Sequence, residues 1–336
     1  MRHPRAVGVF LEFRAIPVLL WSYTATCLGT AVAFLETGRF DAVWFLAALF
    51  LATMVQGFVT HSLNEIYDWR SGTDRHASPR VLSGGSKVLN ARLLTERDLW
   101  RIFSLSSAGV LLVGLAVIGL RSILMLPFVV VGLVSGIAYT APPLRLSYRP
   151  FVGEWFGGFL GVFIAGTGAY AIQTLTLSLL VVITATAHAS TCVGMLLVHH
   201  YLDATADAAA SPPKRTTVVL LGPERSRSYA SAFAAAAVIL TAILAALAWP
   251  FLLALPFAVA AFFAHRRVDP SDTANVTRTE VVIIQCGISE GLLPAALLAP
   301  WLIFPALLAV PLYAAHFWLA TSREMAERAA AVPSKG

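Results

Sequence analysis

The chain has 336 residues, of which 58% are hydrophobic and only 12% are charged. A soluble domain carries roughly 25% charged residues, so this composition excludes an ordinary soluble enzyme, a disordered chain and a secreted disulfide scaffold. The three cysteines, Cys27, Cys192 and Cys286, lie in apolar runs without metal-ligand spacing. We therefore predict an all-α, polytopic transmembrane bundle of about nine or ten helices, built as a single integral membrane domain over 1–336.

The first apolar run is typical of a membrane span rather than a cleaved signal. Arg2, Arg5 and Arg14 precede it, the run is too long for a signal, and no small-residue cleavage site follows it. Apolar stretches long enough to cross about 30 Å of hydrocarbon recur along the chain. The predicted spans are 15–36, 42–63, 102–120, 122–140, 152–172, 175–198, 229–248, 250–265, 280–298 and 300–320.

Basic residues orient these spans. With the N-terminus in the cytoplasm and ten spans, Arg39 and Arg121 alone among the 24 Lys and Arg fall outside the cytoplasmic segments. Nine spans would move the C-terminal basic residues Arg323, Arg328 and Lys335 to the opposite side. We therefore predict an integral protein of a bacterial-type inner or plasma membrane with both termini cytoplasmic, and 280–320 as an extra C-terminal helical hairpin. The net charge of +6 needs no nucleic acid partner.

Two predicted cytoplasmic loops, 64–101 and 199–228, begin with ligand-type side chains at the end of a span. Residues four apart project from one helix face, and a polar stripe within a membrane helix must face protein or water. One stripe consists of Gln56, Thr60, Asn64 and Asp68, and the other of Thr184, His188, Cys192, Met195, His199, Asp203 and Asp207. We expect these stripes to enclose a central cavity with an acidic mouth.

Clustered carboxylates repel one another unless a cation lies between them. Mg²⁺ suits such a site because it takes one or two carboxylates and completes its shell with water and phosphate oxygens. The two loops carry the acidic residues Asp68, Asp74, Asp203 and Asp207, with Asn64 one helical turn before Asp68. The predicted diphosphate-binding residues are Arg70, Lys87, Arg145 and Lys214. A substrate with a diphosphate at one end and a hydrocarbon chain at the other would fit this site.

Other polar side chains are assigned to the cavity and to an acceptor: Gln56, Tyr67, Tyr139, His188 and His199. Simpler interpretations stay open for several residues. Arg145 is either a phosphate ligand or an orientation charge, and His188 either faces the cavity or hydrogen-bonds between helices. Glu290 is either a cavity acid or a buried hydrogen-bond partner.

Four motifs in chain order resemble the UbiA superfamily of membrane prenyltransferases, most closely its menaquinone branch, the 1,4-dihydroxy-2-naphthoate prenyltransferases. They are Asn64, Asp68, Gly72 and Asp74; the stretch from Gly84 to Leu89; the stretch from Tyr139 to Arg149 with Gly153 and Glu154; and Asp203 and Asp207 followed by Lys214, Arg215, Thr216, Leu221 and Gly222. The resemblance covers about 10–265. Its departures are Glu65, where the family has Asp, and His199 and Leu202, where it has Asn and Arg.

The resemblance implies that a prenyl diphosphate binds through Mg²⁺ held between Asn64, Asp68, Asp74, Asp203 and Asp207, which are the predicted metal ligands and catalytic residues. Loss of diphosphate would leave an allylic cation, which an electron-rich aromatic carbon attacks within the bilayer. Because His199 and Leu202 depart from the family pattern, a terpene cyclase of the same superfamily, acting without an acceptor, is the alternative enzyme. A transporter is a further alternative, although the sequence has neither an inverted repeat nor paired Gly/Pro-broken helices.

Overall fold

The computed structural model describes residues 3–76, 85–322 and 325, and every regular element in these ranges is a helix. Gly84, Arg2, Arg323, Arg328 and Lys335, used in the sequence analysis, lie outside them. The apolar helices in the described part are α1 (Pro4–Thr37), α2 (Ala42–Ser71), α3 (Glu96–Leu120), α4 (Ile123–Ala138), α5 (Gly153–Thr174), α6 (Leu179–His199), α7 (Pro223–Leu247), α8 (Trp249–Arg267), α9 (Thr273–Leu298) and α10 (Pro300–Ala320).

The all-helical membrane fold is confirmed, because nine of these described helices are long and apolar enough to cross a membrane. The tenth, α4, is apolar but shorter, and it coincides with the fourth predicted span. Each of the other predicted spans also coincides with one apolar helix.

Several helices extend beyond the predicted spans. Helix α2 includes Asn64 and Asp68 of the first acidic motif, and its last residue is Ser71. Gly72 follows it with a φ of 91°, which suits a glycine after the last helical turn. Asp74 lies on a separate short helix, Thr73–His76. Helix α7 begins at Pro223, because proline is well tolerated in the first helical turn. The predicted loops 64–101 and 199–228 are therefore partly helical at their ends.

Helices α1 and α6 form the centre of the bundle, because 83% of the apolar 18-residue segment of each helix is buried. Helices α3 and α10 lie at the periphery, because only 17% of the corresponding segment of each is buried. Their outward side chains, such as Leu112 and Trp318, are exposed in the protein and suit contact with lipid.

Glycines allow close approaches to α1. A Cβ at Gly29 would lie 1.9 Å from the carbonyl oxygen of Gly166 on α5, and one at Gly291 of α9 would lie 2.0 Å from Thr24 Cγ2. Small residues of this kind let membrane helices pack at short distance. Helix α9 therefore packs closely against the central helix α1, and the assignment of 280–320 as an extra hairpin stays a prediction.

Three helices change locally to π-helical geometry: Leu19–Tyr23 in α1, Val55–Thr60 in α2 and Gly153–Phe159 in α5. Such segments free backbone groups from the regular ladder and are frequent at functional sites. Two of these segments contact each other, because the backbone N–H of Ser22 in α1 donates to Gln56 Oε1 in α2 at 3.1 Å. All three segments contribute residues to one internal cavity.

The contact between Gly29 and Gly166 predicts a large effect from one methyl group. Gly29→Ala forces backbone atoms apart, and overpacking of this kind costs about 1–3 kcal/mol. We expect a lower thermal unfolding temperature for the purified protein in detergent. Gly119→Ala is the control, because a Cβ there meets nothing within 4 Å and alanine favours the helix. Equal unfolding temperatures for the two variants would contradict the packing described here.

Candidate active site

A cavity of about 290 Å³ lies between α1, α2, α3, α4, α5 and α6. Its inner part is lined by apolar side chains that include Leu51, Val55, Met125, Phe128 and Ile164. Its other end is polar and carries both predicted acidic motifs. The polar residues that line it include Asn64, Asp68, Asp74, Lys87, His199, Asp203, Asp207 and Lys214.

The carboxylate of Asp68 is the centre of this polar end. Asn64 Nδ2 and Lys214 Nζ each donate to its Oδ2 at 2.8 Å, and the Tyr148 hydroxyl donates to its Oδ1 at 2.8 Å. Asp68 itself is 2% exposed, so these donors replace the water it would otherwise hold. Three segments distant in sequence thus meet at one side chain.

Asp203 and Asp207 lie across the cavity mouth from Asp68. Asp203 precedes a short helix, Ala204–Ala209, and Asp207 accepts a backbone hydrogen bond from Lys214 N–H at 2.9 Å. Both carboxylate oxygens of Asp207 are buried and lack a hydrogen-bond partner among the described residues. Burial, together with the charges of Asp203 and Asp68, raises the pKa of Asp207 to about 7.

Lys214 lies between the two acidic motifs. Its Nζ is 2.8 Å from Asp68 Oδ2 and 3.9 Å from Asp207 Oδ1. Burial by itself lowers the pKa of this ammonium, but the carboxylates of Asp68 and Asp207 outweigh burial and raise it well above its usual value. Lys214 is therefore a permanent positive charge directed at the mouth.

The carboxylates also fit a hard cation. Asp74 Oδ2, like both oxygens of Asp207, is buried without a hydrogen-bond partner in the described part of the chain. Burial and the charges of Asp68 and Glu65 raise the pKa of Asp74 well above its usual value, which a nearby cation would reverse. Within the described residues no group of three His, Cys, Asp or Glu side chains is placed to hold a metal ion by itself. A cation at this place would need other ligands as well, as Mg²⁺ does when it combines one or two carboxylates with substrate phosphates and water.

The predicted cavity residues divide into two groups. Gln56, Tyr139 and His199 line the cavity. Tyr67 and His188 lie outside the lining found in the described residues. His188 instead places Nε2 2.8 Å from the carbonyl oxygen of Leu20, which makes it an interhelical hydrogen-bonding residue.

The predicted diphosphate-binding residues divide in the same way. Lys87 and Lys214 line the cavity. Arg70 forms an exposed ion pair with Glu96, and the Arg145 guanidinium lies 5.6 Å from the centre of the Tyr148 ring. Neither arginine is part of the lining formed by the described residues.

Glu290 is a buried hydrogen-bond partner rather than a cavity acid. Thr191 Oγ1 donates to its Oε2 at 3.0 Å and Thr241 Oγ1 donates to its Oε1 at 3.2 Å. It connects α9 to α6 and α7 and is absent from the cavity lining of the described chain.

Several polar residues near the site were missed by the sequence analysis. Arg14, at a left-handed break in α1 with φ of 50°, donates to Glu65 Oε2 at 2.8 Å and to Asn64 Oδ1 at 3.2 Å. Sequence reasoning counted Arg14 as a topology charge and Glu65 as a departure. In the sequence, the sign of this ion pair was that Arg14 and Glu65 carry opposite charges and have apolar neighbours. His61 and His316 also line the cavity, and nothing in the spacing singled them out.

Comparison with known proteins identifies the family to which the chain is similar. The model of the UbiA prenyltransferase family matches residues 22–283. Over 138 residues the chain is 31% identical to 1,4-dihydroxy-2-naphthoate octaprenyltransferase of Bacillus subtilis (strain 168), covering 41% of this chain and 42% of that protein. The chain thus aligns with less than half the length of this curated relative.

Two solved structures have a fold similar to that of this chain. A UbiA homolog from Archaeoglobus fulgidus bound to GPP and Mg²⁺ aligns with a TM-score of 0.63 at 18% identity, covering 86% of this chain and 99% of the homolog. A digeranylgeranylglyceryl phosphate synthase aligns with a TM-score of 0.55 at 14% identity, covering 87% and 98%. At these identities the likeness establishes the fold.

The ion pair of Arg14 with Glu65 predicts a strong contribution to stability. The pair is buried, with side-chain exposures of 14% and 0%, so Glu65→Gln removes the strongest of the carboxylate charges that act on this guanidinium. Breaking a buried pair costs about 3–5 kcal/mol. Glu96→Gln is the control, because its pair with Arg70 is exposed and such pairs contribute about 0–1 kcal/mol. Thermal unfolding in detergent should separate the two variants, and equal losses would refute the prediction.

Proposed function

The chain belongs to the UbiA prenyltransferase family, and from that premise we propose that it transfers an isoprenoid chain from a prenyl diphosphate to an aromatic, quinone-precursor-like acceptor, with Mg²⁺ as cofactor. The observation that carries the proposal is the meeting of Asp68, Asp203 and Asp207 with Lys214 at one end of an apolar cavity. A diphosphate suits the polar end, and a hydrocarbon chain suits the apolar interior.

The metal would be held by the side chains of the two acidic motifs: Asn64, Asp68, Asp74, Asp203 and Asp207. When bound, Mg²⁺ supplies Lewis-acid stabilisation of the negative charge on the leaving diphosphate. The partnerless oxygens of Asp207 and Asp74 support this assignment, because they are buried acceptors that the described protein leaves without donors.

Lys214 and Lys87 are the proposed diphosphate-binding residues. Both residues line the cavity, and Lys214 Nζ lies between the two acidic motifs. Charge on the diphosphate grows as its bond to the prenyl carbon breaks, so a cation fixed at this place stabilises the transition state more than the bound substrate. The contact with Asp68 holds Lys214 in position before the substrate binds.

The apolar lining has two tasks in this proposal. It buries the isoprenoid chain, and it keeps water from the allylic cation that forms when the carbon–oxygen bond breaks. A carbon of the electron-rich ring then bonds to the prenyl carbon and loses its proton. The curated relative is named for transfer to a naphthoate, which supports an aromatic acceptor for this chain.

We expect Asp68→Ala and Asp203→Ala each to abolish transfer while the protein still inserts into membranes, because each removes a carboxylate from the proposed metal site. The measurement is Mg²⁺-dependent product formation with a radiolabelled prenyl diphosphate, with and without a dihydroxynaphthoate acceptor. Asp269→Ala, at an exposed position outside the cavity, should retain wild-type transfer. Substantial activity in both site variants would reject the assignment. A hydrocarbon product formed without acceptor would favour the terpene cyclase instead.

We propose a bacterial-type inner membrane with both termini in the cytoplasm, which rests on the distribution of basic residues and the ten apolar helices of the described chain. A C-terminal alkaline phosphatase fusion should therefore be inactive and a C-terminal green fluorescent protein fusion bright. A fusion after Arg39, in the predicted external loop, is the control and should behave oppositely. An active phosphatase at the C-terminus would overturn this topology.

A further inference from the structure

The last residue of α6, His199, forms a short contact with a carboxylate on α9. His199 Nδ1 lies 2.9 Å from Glu280 Oε1, and the two residues are 81 positions apart in sequence. The imidazole is partly exposed to the cavity at 27%, whereas the Glu280 side chain is 1% exposed. The pair therefore joins a buried carboxylate to a ring at the cavity wall.

Glu280 is buried with few partners. Its Oε2 has no hydrogen-bond partner among the described residues, so His199 is the group that satisfies this carboxylate there. A carboxylate that accepts from one ring nitrogen of a histidine fixes both the orientation of the ring and the nitrogen that carries the proton. In the neutral ring, Nδ1 then carries the hydrogen and Nε2 presents its lone pair.

The Nε2 atom is the ring nitrogen that does not contact Glu280, and His199 lines the cavity. Nε2 lies 3.9 Å from Asp203 Oδ2, beyond hydrogen-bond distance. Met195, one helical turn earlier on the same face of α6, and Leu196 line the cavity beside it and provide an apolar surface for a flat ring. In the neutral ring, Nε2 thus offers a hydrogen-bond acceptor between this apolar surface and the acidic mouth.

We propose that His199 is a specificity-determining residue whose Nε2 accepts a hydrogen bond from a phenolic hydroxyl of the aromatic acceptor, and that Glu280 is the positioning residue that directs it. This inference rests on the proposed prenyl transfer and adds the group by which the acceptor is recognised. A site that hydrogen-bonds a substrate hydroxyl discriminates against an analogue that lacks it.

The test compares a dihydroxynaphthoate with each of its two mono-methyl ethers, which keep the ring electron-rich but remove one donor. The full-length wild-type protein in lipid nanodiscs should reject at least one ether by tenfold or more in kcat/KM. Glu280→Gln should raise KM for the dihydroxy acceptor about tenfold and reduce that discrimination. The KM for the prenyl diphosphate should not change.

A matched control comes from the same helix. Glu290→Gln alters another buried carboxylate on α9, and Glu290 lies outside the cavity lining of the described residues. It should leave acceptor discrimination at the wild-type value. His199→Phe should abolish discrimination, and adding Glu280→Gln to it should have no further effect on acceptor KM, because the two residues act through one hydrogen bond.

Each failure has its own signature. If the wild-type protein transfers nothing to any acceptor, the proposed function fails. If it transfers the prenyl group but accepts both ethers as well as the parent compound, the recognition by His199 is overturned. If Glu280→Gln and Glu290→Gln have equal effects, or if Glu280→Gln raises KM for the diphosphate as much as for the acceptor, the positioning role of Glu280 is overturned.

Discussion

A carboxylate removed from water must be supplied with donors or cations, and the burial of Asp68 imposes that requirement on the whole polar end of the bundle. Its donors come from α2 itself, from the connection between α4 and α5, and from the connection between α6 and α7. The backbone strengthens this arrangement, because Ser211 N–H donates to the carbonyl oxygen of Ser71 at 2.8 Å. The connections are thus held against the end of α2, and this places the second acidic motif opposite the first.

The sequence was sufficient for the features that depend on local patterns. Apolar length located every membrane helix, and the four-residue spacing of Asn64 and Asp68 placed both on the cavity face of α2. Spacing was less reliable for α6, where the predicted polar stripe divides. Met195 and His199 face the cavity, whereas His188 faces α1. A stripe identifies one face of a helix, but the rotation and local geometry of that helix depend on partners that no periodicity encodes.

The contacts that the sequence could not supply join residues far apart in the chain. Arg14 pairs with Glu65 and His199 pairs with Glu280, and in each case one partner was a departure from the family pattern. The sequence also does not show how far a side chain extends from its loop or which group it contacts. Arg145 and Lys214 were equivalent in the sequence as basic residues of loops predicted to be cytoplasmic, yet of the two it is Lys214 that reaches the Asp68 carboxylate, while Arg145 lies over the Tyr148 ring. Charge and order along the chain do not distinguish these outcomes.

The central position of α1 has a consequence for how the protein is assembled. This helix precedes all its partners in the sequence, yet its surface is completed by some of the last helices, through Gly291 against Thr24 and through the Tyr23 hydroxyl, which donates to the carbonyl oxygen of Pro305 at 2.7 Å. During synthesis α1 must therefore stay in the bilayer with an unfinished surface until α9 and α10 are inserted. Intermediates with an exposed packing surface are prone to wrong pairing. The hydroxyl of Thr24 reduces that hazard by donating within α1 to the carbonyl oxygen of Leu19 at 2.6 Å, so this polar group is satisfied before any neighbour arrives.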